Sequence, residues 1–216
     1  MTRMTWTSFR WCTLVVASLA SLSSAAGAQT TRDTVLLGRA VVVRQGCGGC
    51  HNGEYPAAAG WLAGAVDGPA GQFQIGACAP QAKGPCFKTW ARNITPDNAT
   101  GIGRFTERQL FNALRFGLRP GETPDVTITS STPGVGNFPA SPRYLAPPMP
   151  WFSWRHMPDR ELWAIAAYLK RGLKPVNHHV DDSEGPPDFW ASVYGVKDIG
   201  AYPVESFPTA QEVEPK

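Results

Sequence analysis

The sequence predicts an all-α domain, with three main helices joined by long Pro/Gly-rich loops. Three observations predict it. Residues 33–45, 106–116 and 159–171 carry apolar residues at helical spacing between start and stop signals. Glycine (22) and proline (20) are abundant elsewhere, so much of the remaining chain reads as loop. A five-residue motif, Cys47-Gly48-Gly49-Cys50-His51, supplies a centre for the helices to surround.

Two thiols three positions apart, followed at once by histidine, read as a c-type haem attachment site. Each thiol adds across one haem vinyl group, so both must face the same edge of one porphyrin. The next residue then lies under the iron and offers an imidazole nitrogen as proximal ligand. Gly48 and Gly49 carry no Cβ and let the backbone turn tightly against the macrocycle. Two other chemistries compete for the cysteines. A thioredoxin-like redox pair needs a βαβ context, whereas the residues before Cys47 look helical. A zinc site would need Cys78 and Cys86 as its other half, and their seven-residue gap is wide for a zinc knuckle.

The chain has 216 residues, 17% of them charged, with a net charge of +3. This is enough for one domain with a real core. No basic stripe with interleaved aromatics appears, which argues against a nucleic-acid partner. Residues 1–28 read as an export signal. Arg3 and Arg10 give a positive start, Trp11 to Leu22 is mainly apolar, and Ala26-Gly27-Ala28 is a small-x-small cleavage site. The apolar run is short for a membrane span of about 20 residues. The expected product is therefore periplasmic, with no stable membrane insertion after cleavage. The 188 residues left carry 18 basic and 17 acidic side chains, a net charge of +1. Export to an oxidising compartment predicts a disulfide between Cys78 and Cys86.

In chain order, Asp33 to Gln45 reads as the first helix, with Asp33 or Thr34 as its cap and Gly46 as its end. Leu37, Ala40 and Val41 form its apolar stripe, with Val43 at the edge. The run Val41-Val42-Val43 also suits a strand. Residues 51–92 show no periodic pattern, and haem contact plus a disulfide would pin so long a loop. Trp61 and Trp90 read as packing groups. Thr106 to Phe116 is the second helix. Thr106 and Gln109 form a capping box, Phe105 and Leu110 fit a hydrophobic staple, and Gly117 terminates it. Residues 118–150 are again irregular and rich in proline. The third helix is Asp159 to Arg171, with Leu162, Ile165, Ala166 and Leu169 on one face and Gly172 as its stop. Expected organisation is signal 1–28, domain 29–176, and an extension 177–216 partly packed on the domain through Phe189, Trp190 and Tyr194.

A histidine-ligated haem iron offers its other face to Met, His, a small molecule or nothing. The chain after residue 28 has two methionines. Met149 lies in Ala146-Pro147-Pro148-Met149-Pro150, where prolines lower the entropy cost of holding a thioether at the iron. Met157 precedes Pro158-Asp159 at a helix entrance, where an apolar plug is its ordinary role. Met149 is the preferred ligand. His156, His178 and His179 read as surface residues.

The chain resembles a class I (Met/His) monohaem cytochrome c. It is particularly similar to the modules of periplasmic alcohol, aldehyde and sugar-acid dehydrogenases. Four stretches carry the resemblance: Cys47 to His51; Asn93-Ile94-Thr95-Pro96-Asp97 with Thr100-Gly101-Ile102-Gly103; Ala113-Leu114-Arg115 with Gly117; and Pro148-Met149-Pro150 leading to Met157-Pro158-Asp159 and Ala167-Tyr168-Leu169. They bracket Asp33 to Val176. The resemblance implies a cytochrome c-like fold around one covalent haem c, with Met149 as distal ligand. It also implies crossed first and last helices, Gly38 of one against Tyr168 of the other. The implied function is one-electron transfer by a non-enzymatic carrier. The implied partners are a dehydrogenase donor and an oxidase or other cytochrome acceptor. Expected shell residues are Trp61, Ile94, Ile102, Leu110, Leu114 and Trp151, with Arg92, Arg143 and Tyr144 as candidates for the propionates. The other nitrogen of His51 is expected to donate to a backbone carbonyl. Departures are the lone haem motif, the long stretches 51–93 and 117–149, and the tail after Val176. A haem-dependent oxidoreductase subunit and a ligand-binding haem sensor are the alternative functions.

Overall fold

In the computed structural model, which describes residues 31–66, 71–204 and 206–215, residues 31–44 form helix α1. The helix is already formed before Asp33 and Thr34, so neither residue is its cap. The export segment 1–28 lies outside the described residues. The buried face of α1 is Gly38, Val41 and Val42. Ala40 is exposed, so the stripe lies one position round from the one expected. The spacing i, i+3, i+4 still places one face inward; Val42 rather than Ala40 completes it. Gly46, at φ 67°, makes the left-handed turn that ends α1 and starts α2, Cys47–His51.

A two-stranded antiparallel sheet follows, which the sequence reading does not include. Strand β1 (Gln72–Gly76) pairs with β2 (Cys86–Trp90) in the register Gln72↔Trp90 to Gly76↔Cys86. The Cys78–Cys86 disulfide closes the loop end of this hairpin, as expected, with 4.8 Å between the Cα atoms. The remaining regular structure of the described residues is mostly helical. None of their helices is long and apolar enough to cross a membrane.

Helix α3 (Glu107–Phe116) starts as its sequence predicts. The Thr106 hydroxyl accepts from the Gln109 amide at 3.1 Å, and the Thr106 amide donates to the Gln109 side chain at 3.0 Å. Gly117, left-handed at φ 68°, ends it. All seven residues from Leu110 to Phe116 are buried, Asn112 and Arg115 included. The helix is therefore sandwiched between neighbours rather than laid on one. A short helix α4 (Trp151–Trp154) precedes α5 (Asp159–Ala167), which continues through a π turn, Tyr168–Gly172.

Two apolar clusters result. The first joins α1, α3 and α5 through Val41, Val42, Leu110, Leu114, Leu162 and Ile165. The second gathers Phe116, Leu118, Phe138, Tyr144 and Trp151, with Trp190 and Tyr194 from the chain beyond 176. Trp151 stacks on Tyr144 there, so it sits apart from the shell residues Trp61, Ile102, Leu110 and Leu114 of the first cluster.

Helix α1 crosses α5 at a glycine. A Cβ on Gly38 would collide with the Ala164 carbonyl and lie 2.7 Å from Tyr168 Cβ. Backbone on one side leaves no flexible atom to move aside. Gly38→Val should therefore destabilise the protein by about 2–4 kcal/mol in urea unfolding, against roughly 0.5 kcal/mol or less for Gly195→Ala, whose new Cβ meets only ordinary contacts.

Candidate haem site

The three residues of the attachment motif share one turn. Helix α2 spans Cys47–His51, so the thiols stand at i and i+3 on one side of it. Both are unpaired, while Cys78 and Cys86 are joined. Cys50 is exposed and Cys47 half-buried. Burial pushes the Cys47 thiol up to about 11, and the neighbouring Cys50 adds a smaller upward push. The turn is compact: a Cβ on Gly48 would run into the Gly53 carbonyl and the Trp61 ring. Trp61 in turn donates its indole N–H to the Tyr168 hydroxyl at 3.0 Å, which ties the motif to the last helix.

His51 is only 8% exposed. Its Nδ1 lies 2.6 Å from the Arg92 carbonyl. A carbonyl can only accept, so Nδ1 carries the proton and Nε2 keeps its lone pair. This is the tautomer a metal requires, held by a hydrogen bond on the far nitrogen. Burial also depresses the basicity of the ring below its ordinary value, partly offset by the Arg92 carbonyl. The carbonyl predicted for this role is thus identified as that of Arg92.

The shelf beneath His51 is a set of backbone bonds. Gly64 N–H donates to the His51 carbonyl at 2.9 Å, Leu62 N–H to Asn52 at 2.8 Å, and Ile94 N–H to Leu62 at 3.0 Å. Buried Asn93 accepts from the Thr95 amide and hydroxyl and donates to the Val176 carbonyl at 2.8 Å. The Asn93-Ile94-Thr95 stretch, one of those that carry the resemblance, therefore joins the His51 shelf to the chain beyond α5.

Met149 and Met157 both pack against the first apolar cluster, as does Cys47. Residues 102 positions apart are thereby brought to one apolar body. Met149 is turned into place by short bonds, its own N–H to Ala146 and its carbonyl from Trp151 N–H, both 2.9 Å. Arg115 organises the segment after it. This buried guanidinium, 2% exposed, donates to the Arg155 carbonyl, the Met157 carbonyl at 2.8 Å and the Asp159 carboxylate. Sequence reasoning missed it, since an arginine within an amphipathic helix ordinarily faces solvent.

The propionate candidates have other partners. Arg92 reaches the chain beyond residue 176, Arg143 pairs with Asp188, and Tyr144 is buried against Trp151. Arg119 also binds Asp188, at 2.7 Å. His156 and His179 are exposed, and His178 bonds the Ala63 carbonyl at 2.8 Å. The donor set fits a haem: two free thiols and a metal-ready imidazole on one turn, with a thioether on the adjoining apolar body.

No family model matches the chain. Among curated proteins it is similar to the fructose dehydrogenase cytochrome subunit of Gluconobacter japonicus, 25% identical over 69% of this chain and 24% of that protein. It is also similar to the cytochrome c subunit of the quinone-type alcohol dehydrogenase of Komagataeibacter europaeus, 30% identical over 76% of this chain and 28% of the relative. The gluconate 2-dehydrogenase cytochrome c subunit of Pantoea cypripedii is 30% identical over 62% and 25%. The chain spans about a quarter of the length of these relatives. The resemblance is to dehydrogenase-associated cytochrome c modules, and their shared label supports a cytochrome c-like fold, haem binding and electron transfer.

Two outcomes follow from this geometry. Arg115→Met strands two carbonyls, one of them beside the buried Arg155, and should cost about 2–4 kcal/mol in urea unfolding. Asp159→Asn should cost less than about 1 kcal/mol, since that carboxylate is 67% exposed. The second outcome concerns His51 in chain prepared without haem. A base depressed by burial costs nothing above its ordinary value of 6.5. Below that value the unfolded chain takes a proton the folded chain refuses, so stability falls with pH. Urea midpoints should decline as pH drops below about 6.5, and His51→Gln should flatten that slope.

Proposed function

We propose that this chain is a periplasmic c-type cytochrome that carries single electrons for a dehydrogenase, through one covalently bound, Met/His-ligated haem c. The observation that carries the reading is the state of His51: buried, with Nδ1 committed to the Arg92 carbonyl, on one turn with two unpaired thiols. With Nδ1 committed to a carbonyl, Nε2 is the nitrogen that would bind a metal.

The residues divide the work. Cys47 and Cys50 would hold the porphyrin edge as thioethers. His51 would hold the iron through Nε2, with its ring angle set by the Arg92 carbonyl. Met149 would close the far side. The bound group supplies reversible exchange of one electron between ferrous and ferric iron. Thioether ligation favours the ferrous state, and the apolar wall of Ile102, Leu110 and Leu114 does the same by disfavouring added charge. A rigid surround keeps both states in nearly one geometry, as the proline-held Met149 loop and the crossed helices would. The exposed Cys50 edge is where electrons would enter and leave, in a transient contact with the partner. Export through residues 1–28, a domain over 29–176 and an added segment over 177–216 belong to the same proposal, as does the absence of enzymatic activity.

Spectra of the purified, matured protein test it. The ferric form should show the far-red iron–methionine band, and carbon monoxide should leave the reduced spectrum nearly unchanged at neutral pH. Met149→Ala should abolish the band and admit carbon monoxide; Met157→Ala should do neither. Colourless protein, or a band that survives Met149→Ala, would sink the assignment.

A further inference from the structure

The segment beyond α5 is more than a tail, because it grips the residue that orients His51. We propose that Arg92 is a positioning residue: its guanidinium ties residues 180–183 to the peptide whose carbonyl holds His51 Nδ1, so that this strap sets the proximal ligand. The inference rests on the haem reading above and assigns the strap a part in it.

The chain of contacts is continuous. Arg92 Nη1 donates to the Val180 carbonyl at 3.1 Å and the Asp181 carbonyl at 2.8 Å, and Nη2 donates to the Ser183 hydroxyl at 2.8 Å. One guanidinium thus spans three acceptors on one segment, a fork that an ammonium cannot reproduce. The Asp181 and Asp182 carboxylates lie close enough to favour its charge, against the pull of burial. From the same residue the backbone carbonyl accepts from His51 Nδ1 at 2.6 Å. Side chain and carbonyl of one residue therefore join strap to ligand.

The strap has little slack. Val180 is 5% exposed and packs with Ala65 and Trp90. Gly64, at φ 97°, sits where strap and shelf converge. A Cβ there would press on Val180 Cγ2, lie 2.7 Å from the Asn93 nitrogen and 3.0 Å from the Arg92 carbonyl carbon. On either side the strap is pinned independently. Glu184 and Lys88 exchange backbone bonds at 2.9 Å each way, Ser183 and Thr89 share a hydroxyl bond at 2.8 Å, and Asn93 and His178 bind carbonyls across the junction. Movement of the Arg92 peptide is thus resisted from both faces. A carbonyl held still accepts a stronger bond from Nδ1–H, which makes the ring a better donor to iron.

The test is made on full-length, haem-loaded protein. Arg92→Lys keeps the charge and loses the fork. The His51 Nδ1 proton, followed by NMR, should then exchange with solvent about tenfold faster or more. The midpoint potential should rise, since a less basic ring favours ferrous iron, while the iron–methionine band stays in place. Lys88→Gln breaks the exposed Lys88–Glu184 pair at the same junction without touching Arg92, and should leave both readouts at the parent values. Ser183→Ala, which removes one acceptor, should move both in the Arg92→Lys direction by less, and serves if the lysine variant folds poorly. Parent-like exchange and potential in Arg92→Lys would overturn the proposal. So would equal changes in Lys88→Gln, because the junction as a whole would then be responsible. If the protein carries no haem, the functional reading fails instead, and exchange of the same proton in the haem-free chain still decides whether Arg92 holds His51.

Discussion

A buried imidazole with one nitrogen already spoken for is the constraint on which the rest of this structure turns. The Arg92 carbonyl fixes the tautomer and the ring angle of His51 in one contact. To offer that carbonyl, residues 91–95 must lie along residues 61–65, and backbone bonds from Ile94 to Leu62 and from Ala65 to Ala91 lay them there. The hairpin before residue 91 sets the approach of the chain, and the disulfide secures the end of the hairpin. Segments that look like filler between helices thus converge on one ring nitrogen.

The stretch that carries Met149 and Met157 is built on a different principle. Met149 and Met157 lie in a stretch with little regular structure, and a guanidinium stands in for the missing ladder. Arg115 reaches from α3 into the turn after α4 and collects two carbonyls and a carboxylate. Its charge is costly to bury, and only one carboxylate, itself largely exposed, answers it. The return is directional: a planar donor with fixed angles holds a loop in one register, as apolar packing does not. The surround of His51 is therefore ordered by backbone bonds, and the stretch after α4 by a buried cation.

Much of this was legible wherever the signal was local. Thr106 and Gln109 are three residues apart and face each other whatever the remainder of the chain does, so the capping box appears as read. Gly46 and Gly117 end helices because the turn they make needs a positive φ. Cys78 and Cys86 find each other across a short loop. The resemblance to cytochrome modules supplied Gly38 against Tyr168, which spacing alone does not give. What escaped depends on distant partners. Strand Gln72–Gly76 alternates polar and apolar residues over too few positions to stand out from a Gly- and Pro-rich background, and Cys86–Trp90 does not alternate. The inward turn of Arg115 is set by carbonyls some 40 residues away. Arg92 read as a cation for propionates because two of its three acceptors are main-chain atoms, which sequence does not advertise. Trp151 read as shell, yet α4 carries it into the second cluster.

The strap that steadies His51 also divides the charge of the molecule. Residues 177–216 carry eight acidic and two basic side chains; residues 29–176 carry sixteen basic and nine acidic. The modest net charge of residues 29–216 is thus the near-cancellation of +7 by −6, not a scarcity of ions. Several of the cancelling contacts are visible, Glu184 on Lys88 and Asp188 on Arg119 and Arg143 among them. A single proteolytic cut near residue 176 would therefore release a strongly cationic remainder, retained by anionic lipid headgroups or a cation exchanger that the intact protein passes by.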